Sequence, residues 1–231
     1  MRNALFTVKI GGDNPIYAAS MRTYEEYCQK YDLDLIVATQ PRINWQNVYF
    51  ERLQVLDHLD KYRQVAVVDL DILVTPTARN IFHHHSDPTR FYALHENLDY
   101  ADMNRDPWID GTNPKIPWPV EHNGRRRYFN TGVYVLSSIS AGFLRDHKDA
   151  LRHHSGNLWV CGDQTYLNCL SVERGASFSN LEYAFNRMHL GKADPERARY
   201  KADFIHYAGL NKYGTGPKVD IVLEDYMNLY G

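Results

Sequence analysis

Cysteine is scarce in this chain, with three among 231 residues. Cys28, Cys161 and Cys169 form an odd set, and no two of them have the C-x-x-C spacing. Such a set provides neither a disulfide framework nor a zinc knuckle. We therefore expect buried thiols in a reducing compartment.

An excess of basic residues is also missing, and so is a long apolar run. The 26 Lys and Arg residues face 28 Asp and Glu residues, a formal net charge of −2. A surface that neutralises nucleic-acid phosphates normally carries a basic excess, so we expect no nucleic-acid partner. No window approaches the ~18 apolar residues of a membrane span, and the apolar stretch before Lys9 is too short for a signal peptide. We expect a cytoplasmic chain, or one domain of a larger protein, without a transmembrane segment.

Aromatic residues, in contrast, are abundant. The chain has 17 Tyr, 4 Trp and 9 Phe, so that 13% of it is aromatic, and 44% is apolar. Tyr and Trp combine apolar area with a polar group, which suits either a large core or flat polar ligands such as bases and sugars. Composition alone favours the core.

The first 75 residues alternate between strand-like and helix-like patterns. Strands are predicted at 4–10, 33–38 and 65–68, and amphipathic helices at 16–31 and 48–59. This order is typical of a parallel α/β sheet, and the fully apolar third strand predicts helices on both faces. The second half is less regular, with strands predicted at 91–95, 128–136 and 203–207, helices at 140–154 and 162–172, and a long loop at 96–127. We expect one α/β domain over residues 1–231, with a mainly parallel sheet flanked by helices.

Two aspartates follow the third predicted strand, in Val67-Val68-Asp69-Leu70-Asp71. In a continuing strand, side chains two residues apart point the same way, so both carboxylates would converge on one spot. A cation between them would relieve their repulsion, and hard oxygen ligands favour Mg²⁺ or Mn²⁺. Ligands of open α/β sheets also bind beyond the carboxyl ends of strands. The alternative is a strand-end turn with solvated aspartates.

Three further motifs carry polar side chains next to glycines. They are Phe129-Asn130-Thr131-Gly132, Gly162-Asp163-Gln164, and the run from His206 through Gly209 to Lys212. Amide and carboxylate groups can fix hydroxyl-rich ligands, an imidazole can complete a metal site, and an ammonium can hold a phosphate. Taken singly, each motif is also explained by a turn, a helix cap or a capped strand.

These motifs occur in the order D-x-D, F-N-x-G, G-D-Q and H-x-x-G-x-x-K. The ordered set resembles the glycosyltransferases of family 8 and their relatives, which have the nucleotide-sugar-binding GT-A fold. The resemblance extends over nearly the whole chain, from about residue 3 to residue 213. It implies transfer of a sugar from a nucleotide-diphosphate donor to a glycan, protein or other hydroxyl acceptor, with retention at the anomeric carbon. Residues 1–75 would form the nucleotide-binding half, and residues 76–231 would complete the metal and acceptor sites.

The resemblance also implies roles for individual residues. Asp69, Asp71 and His206 look like the ligands of Mn²⁺ or Mg²⁺, and Lys212 matches a diphosphate-binding lysine. Arg52 resembles a basic residue that contacts the donor.

The remaining matches concern the sugar and the nucleoside. Asn130, Asp163 and Gln164 are similar to donor-sugar contacts, with the last two nearest the reacting carbon and therefore the candidate catalytic residues. Thr7, Lys9 and Asp13 would lie along the nucleoside.

Two other interpretations compete with a glycosyltransferase. Asp69-Leu70-Asp71 also resembles the first motif of haloacid-dehalogenase-type phosphatases, in which the first aspartate is the nucleophile. That motif usually opens its domain, whereas 68 residues precede it here. A non-catalytic carbohydrate-binding domain is the third possibility, and it requires the four motifs to be coincidental.

Overall fold

The computed structural model describes residues 1–11, 14–45, 47–99, 104–111, 117–120, 124–146, 162–188, 195–208 and 218–231. Its strands are β1 Ala4–Val8, β2 Asp34–Ala38, β3 Val65–Val68, β4 Ile72–Val74, β5 Phe91–His95, β6 Phe129–Leu136, β7 Phe178–Asn180 and β8 Phe204–His206. Its α-helices are α1 Pro15–Tyr31, α2 Ile81–His84, α3 Glu96–Asp99, α4 Asp106–Asp110, α5 Gly162–Glu173 and α6 Lys218–Tyr230. Short 3₁₀ helices span Val48–Asp57, Leu59–Lys61, Ser140–Leu144, Tyr183–Phe185 and Pro195–Lys201.

Six strands form the central sheet in the order β2-β1-β3-β6-β5-β7. The pairs β1–β2, β1–β3 and β5–β7 are parallel, whereas β6 is antiparallel to both β3 and β5. Every strand of this sheet except β6 therefore runs in the same direction. The prediction of a mainly parallel α/β sheet is confirmed.

Strand β3 shows why the sheet is covered on both faces. All four of its residues are buried, and their side chains alternate between two apolar clusters. Val65 and Val67 pack in the first cluster with Phe50 and Leu53, and Ala66 and Val68 pack in the second with residues of α1. An unbroken apolar strand of this kind is what a sheet with helical layers on both sides requires.

The chain does not continue as one strand through Asp69-Leu70-Asp71, as the sequence analysis assumed. Strand β3 ends at Val68, a turn follows, and β4 belongs to a separate two-stranded sheet with β8. The backbone N–H of Asp69 still donates to Gly132 O of β6 at 2.9 Å, so the main chain leaves the central sheet directly after this residue. The predicted helix at 48–59 is likewise a 3₁₀ helix to residue 57. Of the predicted helix at 140–154, residues 140–146 are described, and they form the 3₁₀ helix Ser140–Leu144 followed by a turn.

The small β4–β8 sheet fixes where the second half of the chain meets the first. It is antiparallel and places His206 opposite Ile72. The next residue, Tyr207, donates its backbone N–H to Asp71 O at 2.9 Å and its hydroxyl to Asp225 of α6 at 2.8 Å. Asp225 is fully buried, so α6 anchors the strand that carries His206. Among the described residues, no helix is both long enough and apolar enough to cross a membrane.

Candidate active site

A cavity of about 250 Å³ opens beyond the carboxyl ends of β1 and β3. Val8, Ile10, Ile16 and Tyr17 contribute to its largely apolar side. Its polar side is formed by the aspartate turn after β3 together with the 3₁₀ helix that carries Arg52. The cavity thus lies at the edge of the sheet where open α/β folds bind ligands.

The aspartate turn is held in place by hydrogen bonds to its backbone carbonyls. Asp69 O accepts a hydrogen bond from the Tyr24 hydroxyl, and Asp71 O accepts one from Tyr207 N–H. A carboxylate oxygen of Asp69, one of Asp71 and a ring nitrogen of His206 lie within 4.8 Å of one another. His206 is buried, and its Nε2 is 3.3 Å from Asp71 Oδ1. Two hard carboxylates and one imidazole form a donor set that suits Mn²⁺ or Mg²⁺.

Arg52 lies behind this cluster with its guanidinium fully engaged. Its Nη2 is 2.9 Å from Asp69 Oδ1, its Nε is 3.2 Å from Asp163 Oδ2, and its Nη1 donates to Thr131 O at 2.5 Å. The side chain is 6% exposed. Burial raises the pKa of the Asp69 carboxyl to about 6, even though Arg52 opposes the rise. The buried guanidinium of Arg52 therefore links Asp69, a predicted metal ligand, to Asp163, a predicted catalytic residue.

The two candidate catalytic residues open α5 and face β6. Asp163 Oδ2 accepts from the Thr131 hydroxyl at 3.3 Å. Gln164 Oε1 accepts from Asn130 Nδ2 at 3.1 Å. Both α5 residues are 7% exposed and Asn130 is 6% exposed. The structure thus brings Asn130 together with two residues that lie 33 and 34 positions later in the chain.

Glu96 belongs to the same cluster and was not identified from the sequence. Its side chain is 1% exposed, and Oε1 accepts from Asn130 Nδ2 at 2.8 Å and from Gln164 Nε2 at 3.3 Å. Its other oxygen pairs with Arg105, whose guanidinium stacks 3.9 Å from the Trp108 ring centroid. Its position in the chain could have indicated it, because Glu96 directly follows β5 just as Asp69 directly follows β3.

The residues predicted to contact the nucleoside and the phosphates are Thr7, Lys9, Asp13 and Lys212, and none of the described ones is among the residues that line the cavity. Thr7 is buried and donates its hydroxyl to Val68 O at 2.7 Å, so it ties β1 to β3 beneath the cavity. Lys9 pairs through its backbone N–H with Ala38 O at 2.8 Å, and among the described residues its neighbours Val8 and Ile10 line the cavity instead. Asp13 and Lys212 lie outside the described residues, and so does Cys161.

Trp108 and Trp118, the two tryptophans of the long loop, pack against the same side chain, Tyr128. Trp118 is 8% exposed and stacks on Tyr128 with ring centroids 6.2 Å apart, and Trp108 meets the same ring edge-on at 5.8 Å. Ile109 and Cys169 complete this cluster. These aromatics therefore contribute to the core, which is the use that composition favoured.

Comparison with solved structures shows that the fold is of the GT-A glycosyltransferase type. A glycosyltransferase involved in the glycosylation of the major capsid of PBCV-1 aligns with a TM-score of 0.62 at 15% identity, over 98% of this chain and 100% of that one. The galactosyltransferase LgtC in complex with donor and acceptor sugar analogues gives 0.60 at 13%, over 99% and 96%. Apo GlyE of Streptococcus pneumoniae gives 0.56 at 14%, over 99% and 64%. No protein-family model and no curated protein matches the sequence. At these identities the likeness establishes the fold, and the predicted fold class is confirmed.

Proposed function

We propose that this chain is a divalent-metal-dependent glycosyltransferase that uses a nucleotide-diphosphate sugar and retains the anomeric configuration. The observation that carries the proposal is the convergence of Asp69, Asp71 and His206, because the two aspartates also line the cavity. The neighbouring structures bear the names of glycosyltransferases, and one of them was solved with donor and acceptor sugar analogues. Residues 1–75 would supply most of the donor cavity, and residues 76–231 would complete the metal and acceptor sites.

The residues present fit a divalent cation. The two carboxylates and the imidazole come from two segments that the β4–β8 pairing holds together. A cation bound there would neutralise the charge that develops on the leaving diphosphate. Arg52 is turned toward Asp69, so it would orient that ligand, and Lys212 would approach the diphosphate from the segment after β8.

The transfer itself is a substitution at the anomeric carbon. The bond from that carbon to the phosphate oxygen breaks with its electron pair moving to the nucleoside diphosphate. An acceptor hydroxyl oxygen forms the new glycosidic bond, and its proton passes to the leaving phosphate or to a carboxylate. Asp163 and Gln164 would stabilise the oxocarbenium-like transition state from the face of the sugar that they border. Asp163 is paired with Arg52 at 3.2 Å, which would hold its carboxylate in one orientation for this role.

A panel of nucleotide sugars, assayed for hydrolysis and transfer with Mn²⁺, tests the proposal. Wild-type protein should hydrolyse at least one donor, and the matching nucleoside diphosphate with Mn²⁺ should raise its Tm. Asp71→Asn should abolish both effects, whereas the matched control Asp60→Asn, at an exposed position outside the cavity, should keep them. Hydrolysis of p-nitrophenyl phosphate without nucleotide binding would instead support the phosphatase interpretation. Absence of any metal-dependent nucleotide binding would support a non-catalytic domain.

A further inference from the structure

We propose that Asn186 is a positioning residue for the metal site, which sets the tautomer of His206. Asn186 lies directly after the 3₁₀ helix Tyr183–Phe185 and is fully buried. Its Oδ1 is 2.8 Å from His206 Nδ1. In this arrangement the Nδ1 of His206 carries the proton, and the lone pair of Nε2 faces the aspartates. The inference rests on the proposed metal-dependent function and adds a residue that the motifs did not include.

The direction of each hydrogen bond follows from one backbone donor. Gly132 N–H donates to Asn130 Oδ1 at 2.7 Å, which identifies that atom as the oxygen of the amide. The Asn186 atom that lies 2.9 Å from the same oxygen must be a donor, and it is therefore Nδ2. The opposite atom of Asn186 is then the oxygen, which can only accept. His206 Nδ1 must donate to it, so a neutral imidazole has its free lone pair on Nε2.

The network leaves Asn130 no unused hydrogen-bonding position. Its oxygen accepts from Gly132 and Asn186, and its Nδ2 donates to Glu96 at 2.8 Å and to Gln164 at 3.1 Å. Two acceptor lone pairs and two N–H groups are the full capacity of an asparagine side chain. Asn130 therefore links the orientation of the metal-binding histidine to that of the catalytic amide.

Gly132 contributes to this network in two ways. Its backbone N–H donates to Asn130 Oδ1, and its lack of a side chain leaves room for the imidazole of His206. A Cβ at this position would lie 2.2 Å from His206 Cε1 and 2.6 Å from His206 Nδ1. The imidazole therefore packs directly on the backbone of β6. With one edge against Gly132 and Nδ1 held by Asn186, Nε2 points to Asp71 Oδ1, 3.3 Å away. In the neutral ring no proton lies between these two acceptors, and a shared cation satisfies both.

The tautomer can be measured without any metal, by long-range ¹H–¹⁵N correlation of the imidazole nitrogens in the metal-free protein. The spectrum is recorded at about pH 8.5, two units above the ordinary histidine pKa. His85 is an internal reference for the Nδ1–H form, because its Nδ1 is 3.1 Å from Ile81 O and its Nε2 accepts from Glu182 N–H at 3.3 Å. We expect His206 to give the same pattern as His85.

Substitutions at Asn186 test whether the tautomer matters for the metal. Asn186→Leu removes the acceptor and should weaken Mn²⁺ binding, measured by calorimetry, by ~10–100-fold. Asn186→Asp loses the donor to Asn130 Oδ1 but keeps an acceptor for His206 Nδ1, so it should retain the Nδ1–H tautomer and remains informative if the leucine variant does not fold. Asn168→Leu is the matched control for loss of a buried amide, because Asn168 bonds to the backbone of Phe129 and Gln164. It should change neither the tautomer nor Mn²⁺ affinity.

The outcomes separate this inference from the function on which it rests. A wild-type protein that binds Mn²⁺ with its proton on Nε2 of His206, or on both nitrogens, would overturn the inference alone. Unchanged Mn²⁺ affinity in folded Asn186→Leu would do the same. A wild-type protein that binds no Mn²⁺ in the presence of any nucleoside diphosphate would overturn the proposed function, whatever the tautomer.

Discussion

Replacing Gly132 by alanine is the sharpest single perturbation of the site. Alanine in a strand normally adds roughly 0.5–1 kcal/mol of stability over glycine, because it restricts the unfolded chain. Here the new Cβ would lie 2.2 Å from His206 Cε1 and 2.9 Å from Asn130 Oδ1. Carbon atoms need about 3.5 Å, so the imidazole must move by roughly 1 Å or more. We expect the sign to reverse, with a loss of ~1–3 kcal/mol from overpacking.

The displacement should also be visible in the metal site. Because the ring that moves carries the Nε2 ligand, Mn²⁺ affinity should fall by at least ~10-fold. Urea denaturation and Mn²⁺ calorimetry measure the two effects. Gly142→Ala is the matched control, since a Cβ there meets nothing within 4 Å, and it should be neutral or stabilising. An unchanged Mn²⁺ affinity together with a raised urea midpoint in Gly132→Ala would refute the packing argument.

Three further predictions concern the buried polar groups. Glu96→Gln should lower stability by ~1–3 kcal/mol, because it removes a buried charged hydrogen-bond acceptor; a urea midpoint within error of wild type would contradict this. Asp163→Asn and Gln164→Ala should reduce kcat far more than donor affinity, and equal losses in both would make them binding residues only. Burial, reinforced by Arg127, lowers the pKa of His95 to about 4. Below about pH 6.5 the unfolded chain therefore binds a proton at this histidine that the native state does not bind. The free energy of unfolding should fall between about pH 6.5 and 4, by up to ~1.4 kcal/mol per pH unit. His95→Leu should abolish that part of the pH dependence, and parallel pH profiles would show that the histidine does not contribute it.

The central sheet was predictable because its strands are short apolar runs bounded by turn residues. The prediction for β3, residues 65–68, matches the observed strand, and so does the prediction for β5 at 91–95. The apolar alternation into two clusters is a local property, and local properties can be read from a sequence. The turn at Asp69-Leu70-Asp71 could not, because the backbone partners that hold it are distant in the chain: Asp69 N–H donates to Gly132, 63 residues later, and Asp71 O accepts from Tyr207.

The same distinction applies to the site. The four motifs singled out the three residues of the candidate metal site and the two α5 residues, because each motif has a recognisable local spacing. Glu96 and Asn186 have none. Their partners are separated from them by 34 residues for Glu96 and Asn130, and by 56 for Asn130 and Asn186. The role of a single polar residue after an ordinary strand or turn can be assigned only once the fold is known, because its hydrogen-bond partners come from distant segments.

The reversed direction of β6 has a consequence for engineering. Since β5 and β6 are antiparallel, the chain leaves β5 and enters β6 at the same edge of the sheet. The backbone N–H of Glu96 donates to Tyr128 O at 2.9 Å and so joins the end of β5 to the start of β6. The intervening segment, residues 97–127, therefore starts and ends beside Glu96 and Tyr128, and none of its described residues belongs to a strand of the central sheet. A segment of different sequence that keeps the aromatic contacts with Tyr128 could be grafted between these two fixed points, while the sheet, the aspartate turn and His206 stay as they are.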